Sequence, residues 1–342
     1  MERVPIPLPY SAGLFLTYKC NCACKHCLYA CSARWPAEWI TEEDAEQILR
    51  HLARAMRGRY LHPDRVGVND GLHLTGGEPF LNFDLLLRLT EIAARLGIPA
   101  LFVETNAFWC RDDVTTREKM KTLREAGLQG ILISANPFLL ERIPFERTER
   151  ATRIAREIFG ANAIVYQEFF FRQFRDMGLS GTLSFEEYVQ RAGYGLRFAE
   201  LLPGGRVPFA LSHLFRRYPA SHFFGASCRV ELLREWHVHV DNYGNFIPGF
   251  CGGISLGDAR DLPTLCEGID LARRPVLQAL LTDLEELYRL GVANGYRPRD
   301  GYVSKCHLCL DIRRHLARRG GFPELQPTRF YDQLEAGLGA ST

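Results

Sequence analysis

Short apolar segments alternate with amphipathic ones through the first 200 residues, which predicts an α/β fold with a parallel sheet and helices on its outer face. Two further observations bound that reading. With 342 residues, 46% of them hydrophobic and 24% charged, the chain can bury one large core and a smaller one. After Gly204-Gly205 the pattern changes to a hairpin signal, helices and spaced cysteines, which predicts a small C-terminal α+β unit. The expected division is therefore 1–205 for the α/β domain, 206–319 for the cysteine-rich unit and 320–342 for a peripheral tail.

Residues 14–18, Leu-Phe-Leu-Thr-Tyr, read as the first strand. Thr41 opens a helix to about Arg57, with Asp44 three residues on as a weak capping box. Residues 58–70 are a loop, and 72–75 the second strand. Asn82 caps a Leu-rich helix over 83–96 that Gly97 ends. Residues 98–104 form the third strand, 115–126 a helix, 130–134 the fourth strand, 146–159 a helix and 163–166 the fifth strand. Ser184 caps a helix to about Ala192, and 196–201 is the sixth strand. Further on, 236–241 and 246–248 pair as a hairpin around Asn242-Tyr-Gly244-Asn, 275–290 is a helix, and a basic helix runs from Ile312 to Arg319.

The formal net charge of +2 gives no electrostatic argument for nucleic acid or membrane. No apolar run approaches the roughly 20 residues of a spanning helix, and the first residues lack the apolar core of a secretory signal. Eleven cysteines in such a chain point to metal rather than disulfides, and a cytoplasmic, low-oxygen setting is the expectation.

Cys20, Cys24 and Cys27 follow the first strand with the spacing C-x3-C-x2-C. A closed zinc site wants four ligands. Three thiolates on one loop suit a cubane iron–sulfur cluster and leave one iron open for an exogenous ligand. Gly76-Gly77-Glu78-Pro79 follows the second strand, where glycines permit unusual dihedrals and a carboxylate can pair with an ammonium. Together these motifs resemble the radical S-adenosylmethionine (SAM) superfamily. The resemblance implies a partial (β/α)6 barrel, with functional groups at the C-terminal strand ends. It implies a 4Fe–4S cluster whose open iron is chelated by SAM, and reductive cleavage to a 5′-deoxyadenosyl radical that abstracts hydrogen from a substrate. It also implies that Gly76, Gly77, Glu78 and Pro79 bind the SAM amino group. His26 is expected to pack on the adenine, and Asn106, Ser134 and Asn136 to meet the methionine carboxylate or the ribose. Arg206 is either a SAM carboxylate partner or a structural pair.

Cys228, Cys251, Cys306 and Cys309 form a second constellation, C-x22-C-x54-C-x2-C. It resembles the SPASM and twitch extensions of the superfamily, and the shorter twitch form fits because the later cysteines of a full SPASM unit are lacking. An auxiliary 4Fe–4S cluster is expected here, with Cys266 as a substitute ligand, while a zinc site remains an open alternative. Cys22, Cys31 and Cys110 stay unassigned, Cys110 being the nearest in sequence to the presumed cavity. Glu168 and Glu200 are possible substrate contacts with solvated carboxylates as the default, and Arg313, Arg314, Arg318 and Arg319 read as a solvated helix face.

The resemblance implies an enzyme that performs C–H functionalisation or dehydrogenation in peptide or natural-product maturation, with a flavodoxin or ferredoxin as electron donor. A carbinol dehydrogenase of the twitch type, acting on a small molecule, is the alternative. A metal-cluster binding protein without radical chemistry is the reading from another class. The start of the chain almost at the first strand counts against a built-in peptide-recognition segment.

Overall fold

The computed structural model describes residues 3–335. Its strands are β1 (Arg3–Val4), β2 (Ala12–Phe15), β3 (Leu72–Thr75), β4 (Phe102–Thr105), β5 (Gly130–Ser134), β6 (Ala163–Tyr166), β7 (Val238–Val240), β8 (Phe246–Pro248) and β9 (Ile269–Asp270). Seven of them form one sheet in the order β6-β5-β4-β3-β2-β7-β8. β2 to β6 run parallel, as the alternation predicts. Three of the amphipathic helices are capped by the residues read from sequence. Thr41 accepts from Asp44 N ahead of Glu42–Met56, Asn82 from Leu85 N ahead of Phe83–Arg95, and Ser184 closes a full capping box ahead of Phe185–Ala192. The apolar faces of the helices between the strands pack on the sheet through residues such as Ile48, Leu52, Leu86, Leu89 and Ile154.

The expected sixth strand does not form. Residues 193–198 are 3-10 turns, Arg197 and Glu200 face solvent, and Phe198 is 55% exposed, stacking at its surface on Phe169. The segment thus lacks the buried face that would reward a place in the sheet. The sheet is instead extended on its other edge. β7 pairs parallel with β2, and β8 returns antiparallel as the expected hairpin. The C-terminal segment therefore continues the same sheet, and β9 pairs with β1 at the N-terminus.

Three other expectations change. Residues 168–176, for which no element is expected from the sequence, form a helix with its Phe170, Phe171 and Phe174 buried. The helix expected over 275–290 is two, Pro275–Thr282 and Leu284–Ala293, broken at Asp283, whose carboxylate caps Glu285 N and accepts from Gly225 N. The described part of the tail is not peripheral: Phe330 and Tyr331 are buried, and Gln333 meets Ser32 and Arg206.

Candidate active site

The cysteine loop leaves β2 and is closed by Cys20 N donating to Ser32 O at 3.1 Å. Its brace is Arg206, wholly buried, whose guanidinium donates to the carbonyls of Ala30 (2.7 Å), Cys31 (2.9 Å), Gln333 (3.1 Å) and Cys24 (3.4 Å). Arg206 is therefore a structural staple with its donors turned to the loop's own backbone, and the expectation of a SAM carboxylate partner is dropped. Cys31 N lies 3.4 Å from Cys27 Sγ. The hydrogen bond from the Cys31 side chain, followed by the charge of Arg206, outweighs burial and brings Cys27 down to about 6, so it is poised as a thiolate.

The opposite wall is the turn after β3. Gly77 N donates to Thr17 O (2.7 Å) and Glu78 N to Lys19 O (3.0 Å), which presses this turn against the start of the cysteine loop. A Cβ on Gly77 would lie 1.9 Å from Lys19 O, and one on Gly76, at φ +125°, 2.3 Å from Thr17 O. Here the glycines are needed for contact between the two loops. Glu78 is 1% exposed. It accepts from Asn106 N (2.8 Å), Thr105 Oγ1 (2.8 Å) and Phe80 N (3.2 Å), and burial raises its pKa to about 7. Its carboxylate organises the end of β4. Pro79 starts the short 3-10 helix that Glu78 caps.

One cleft is lined by Cys20, Cys24 and Cys27 together with Gly76, Gly77, Glu78, Asn106, Ser134, Asn136 and His26. Of the residues offered for the first cluster and SAM, Pro79 and Arg206 do not line it. Asn106 Nδ2 donates to Asn21 Oδ1 at 2.9 Å, and Asn136 caps the turn at Leu139 while its Nδ2 lies 3.4 Å from His26 Nε2. His26 stacks on Phe138, and burial lowers its pKa to about 4. Its Nδ1 is buried with no protein partner. Sequence reasoning missed Leu139, Cys22, Cys31, Thr75, Glu104 and Thr105 as lining residues. The strand-end positions of the last three were the available signal. Cys110 is fully buried away from this cleft, Glu168 pairs with Arg156 and Arg172, and Glu200 accepts from Tyr166 Oη.

The second set comes together from three places in the chain. Cys228 precedes the turn Arg229–Leu232, Cys251 follows β8, and Cys306 and Cys309 occupy the first turns of the helix Lys305–Arg319. Burial first, then the mutual repulsion of these thiols, raises Cys251 to about 11 and Cys306 to about 12. Burial alone raises the Cys266 thiol. Arg313 is buried rather than solvated, and it donates to Cys309 Sγ (3.2 Å), Gly252 O (3.1 Å) and Tyr331 Oη (3.0 Å). Lys305 pairs with Glu231 beside Cys228.

A mostly parallel sheet with a thiol-lined cleft at its C-terminal strand ends defines the class: an α/β protein with its site where such sheets carry their chemistry. Residues 14–167 match the model of the radical SAM superfamily. Similar solved structures include BtrN in complex with AdoMet and 2-DOIA, 15% identical, with 82% of this chain and 89% of that one covered at a TM-score of 0.38. Native anSMEcpe with bound AdoMet and Cp18Cys peptide is 11% identical, with 96% of each chain covered at 0.44. Streptococcus suis SuiB bound to S-adenosylmethionine is 18% identical, with 92% and 73% covered at 0.39. Among the described residues no helix is long and apolar enough to cross a membrane.

Proposed function

We propose that this radical SAM protein functionalises or dehydrogenates a C–H bond of a peptide or natural-product substrate, and that its second cysteine set holds an auxiliary 4Fe–4S cluster in a twitch-like unit. The observation that carries the reading is the single cleft shared by Cys20, Cys24 and Cys27 with the polar ends of β3, β4 and β5. The donor set fits the cofactors: three thiols, one favouring the thiolate, beside an unpartnered imidazole nitrogen. Cys20, Cys24 and Cys27 would hold the cluster, and Asn106, Ser134, Asn136 and His26 would face SAM. When bound, cluster and SAM supply one-electron cleavage of the sulfonium and hydrogen abstraction from carbon.

The chain's own residues do the positioning. Arg206 holds the loop backbone in place, and Glu78 fixes the strand end that presents Asn106. The His26 ring, stacked on Phe138, is held as one wall of the cleft. Arg313 and Lys305 supply positive charge against four thiolates.

Anaerobic reconstitution tests this. The expected content is about 8 irons per chain, two cubanes of four. Replacing Cys228, Cys251, Cys306 and Cys309 by Ala should remove half the iron and leave SAM cleavage in place. One zinc and a single cubane would make the second site structural and defeat the auxiliary-cluster reading.

A further inference from the structure

Below the thiol-lined cleft, on the same inner face of the sheet, three imidazoles meet. Gly13 on β2 is the register partner of both His73 on β3 and His239 on β7. A Cβ at Gly13 would lie 2.3 Å from His73 Nε2 and 2.5 Å from His239 Cδ2. The missing side chain lets two histidines, two strands apart, lean together over β2. His237 lies two residues before His239, so it projects from the same face. The donor atoms of the three all lie within 4.8 Å of one another, and all three rings are buried.

The second shell sets the tautomers. Ser11 Oγ donates to Trp236 O at 2.6 Å, so it accepts at 2.7 Å from His237 Nδ1. Gly249 O can only accept, so His239 Nδ1, 3.0 Å away, carries a proton, and Tyr29 Oη stands 2.8 Å from the same nitrogen. Both rings therefore turn an unprotonated Nε2 inward. Histidine metal ligands are oriented in this way, with the outer N–H held by a carbonyl or hydroxyl.

We propose that His73, His237 and His239, with the carboxylate of Glu104, form a binding site for a divalent transition metal of the zinc type. The Nε2 atoms of His73 and His239 are 3.3 Å apart. Two nitrogens bound at 2.0–2.1 Å on a tetrahedral ion are separated by about 3.3–3.4 Å. Glu104 Oε1 is 3.8 Å from His73 Nε2, and its side chain is 31% exposed. Glu104 also lines the cleft above, which gives the ion an entry path and a fourth ligand. On metal binding the proton that His73 Nε2 shares with His239 passes to His73 Nδ1, which frees Nε2 for the ion, and the ion ties β3 to β7 across β2. The site stands independently of the function proposed above.

The test loads the whole protein with Co2+ after its iron–sulfur sites have been filled anaerobically. The expected result is about one cobalt per chain, with the visible bands of a four-coordinate nitrogen and oxygen site and no thiolate-to-cobalt charge transfer in the near ultraviolet. His73→Gln, His239→Gln and Gly13→Ala should each lose the cobalt with iron content unchanged, and Ser11→Ala should weaken its binding about 10-fold. No cobalt uptake by the wild-type chain, a sulfur-ligand spectrum, or equal uptake by His73→Gln and His239→Gln overturns the proposal. The wild-type spectrum decides the matter even where a variant fails to fold.

Discussion

The first cysteine set spans eight residues of one loop, whereas the second is gathered from three segments across eighty. The first opens onto a cleft of strand ends, and the cation beneath it, Arg206, binds backbone carbonyls. The second has two members buried, and its cation, Arg313, donates to a thiol directly. A contiguous loop has its ligands together by covalent connection but needs an external brace to hold its shape. A dispersed set has its brace in the fold and depends on every element that delivers a ligand. Three thiols with an open side suit a cluster that takes an outside ligand, and four suit a closed one.

Substitutions can set the two sets against each other. The largest effect belongs to the loop: replacing Cys20, Cys24 and Cys27 by Ala should abolish 5′-deoxyadenosine formation on reduction with SAM, while about half the iron remains. Unchanged SAM cleavage would defeat the assignment. Next, Arg206→Met should leave the Ala30, Cys31 and Gln333 carbonyls without their buried donor. The expected loss is about 3 kcal/mol in denaturant unfolding, with depleted iron in the first site alone. Arg313→Met is the mirror experiment. It should cost about 2 kcal/mol and speed loss of iron from the second site, with SAM cleavage retained. Equal damage to both sites by either variant would mean that the braces are not local.

The smallest effect lies where the two regions join. Asp241, buried at the hairpin, accepts from Tyr18 Oη of the first region and from the Tyr243 and Asn245 backbone of the second. Burial raises its pKa to about 6, against a value near 3.9 in the unfolded chain. Between roughly pH 4 and pH 6 the folded chain therefore holds a proton that the unfolded chain has released. The carboxyl's contribution to stability should fall as pH rises through that window and stay low above it. Denaturant midpoints of the wild-type chain and Asp241→Asn should draw together from pH 4 to pH 6.5. A constant gap would show that the group titrates alike in both states.

Much of the site was legible because its signals are local. The spacing of Cys20, Cys24 and Cys27, the Gly-Gly-Glu turn and the caps Thr41, Asn82 and Ser184 depend on neighbours a few residues away, and the structure has them where expected. The five parallel strands were readable for the same reason: each is a short apolar run between amphipathic helices.

What the sequence by itself determined, then, was the class of sheet and the radical SAM character of residues 14–167. The tertiary structure decided which strand lies beside β2, that residues 193–198 turn rather than extend, and that Arg206 and Glu78 spend their hydrogen bonds on the protein itself. It also brought His73 and His239 together over Gly13, a meeting of residues 166 positions apart that no local pattern encodes. The physical reason is common to these cases. A side chain's partners across a sheet are set by strand order and register, and those follow from burying the whole core at once rather than from any segment's own preference.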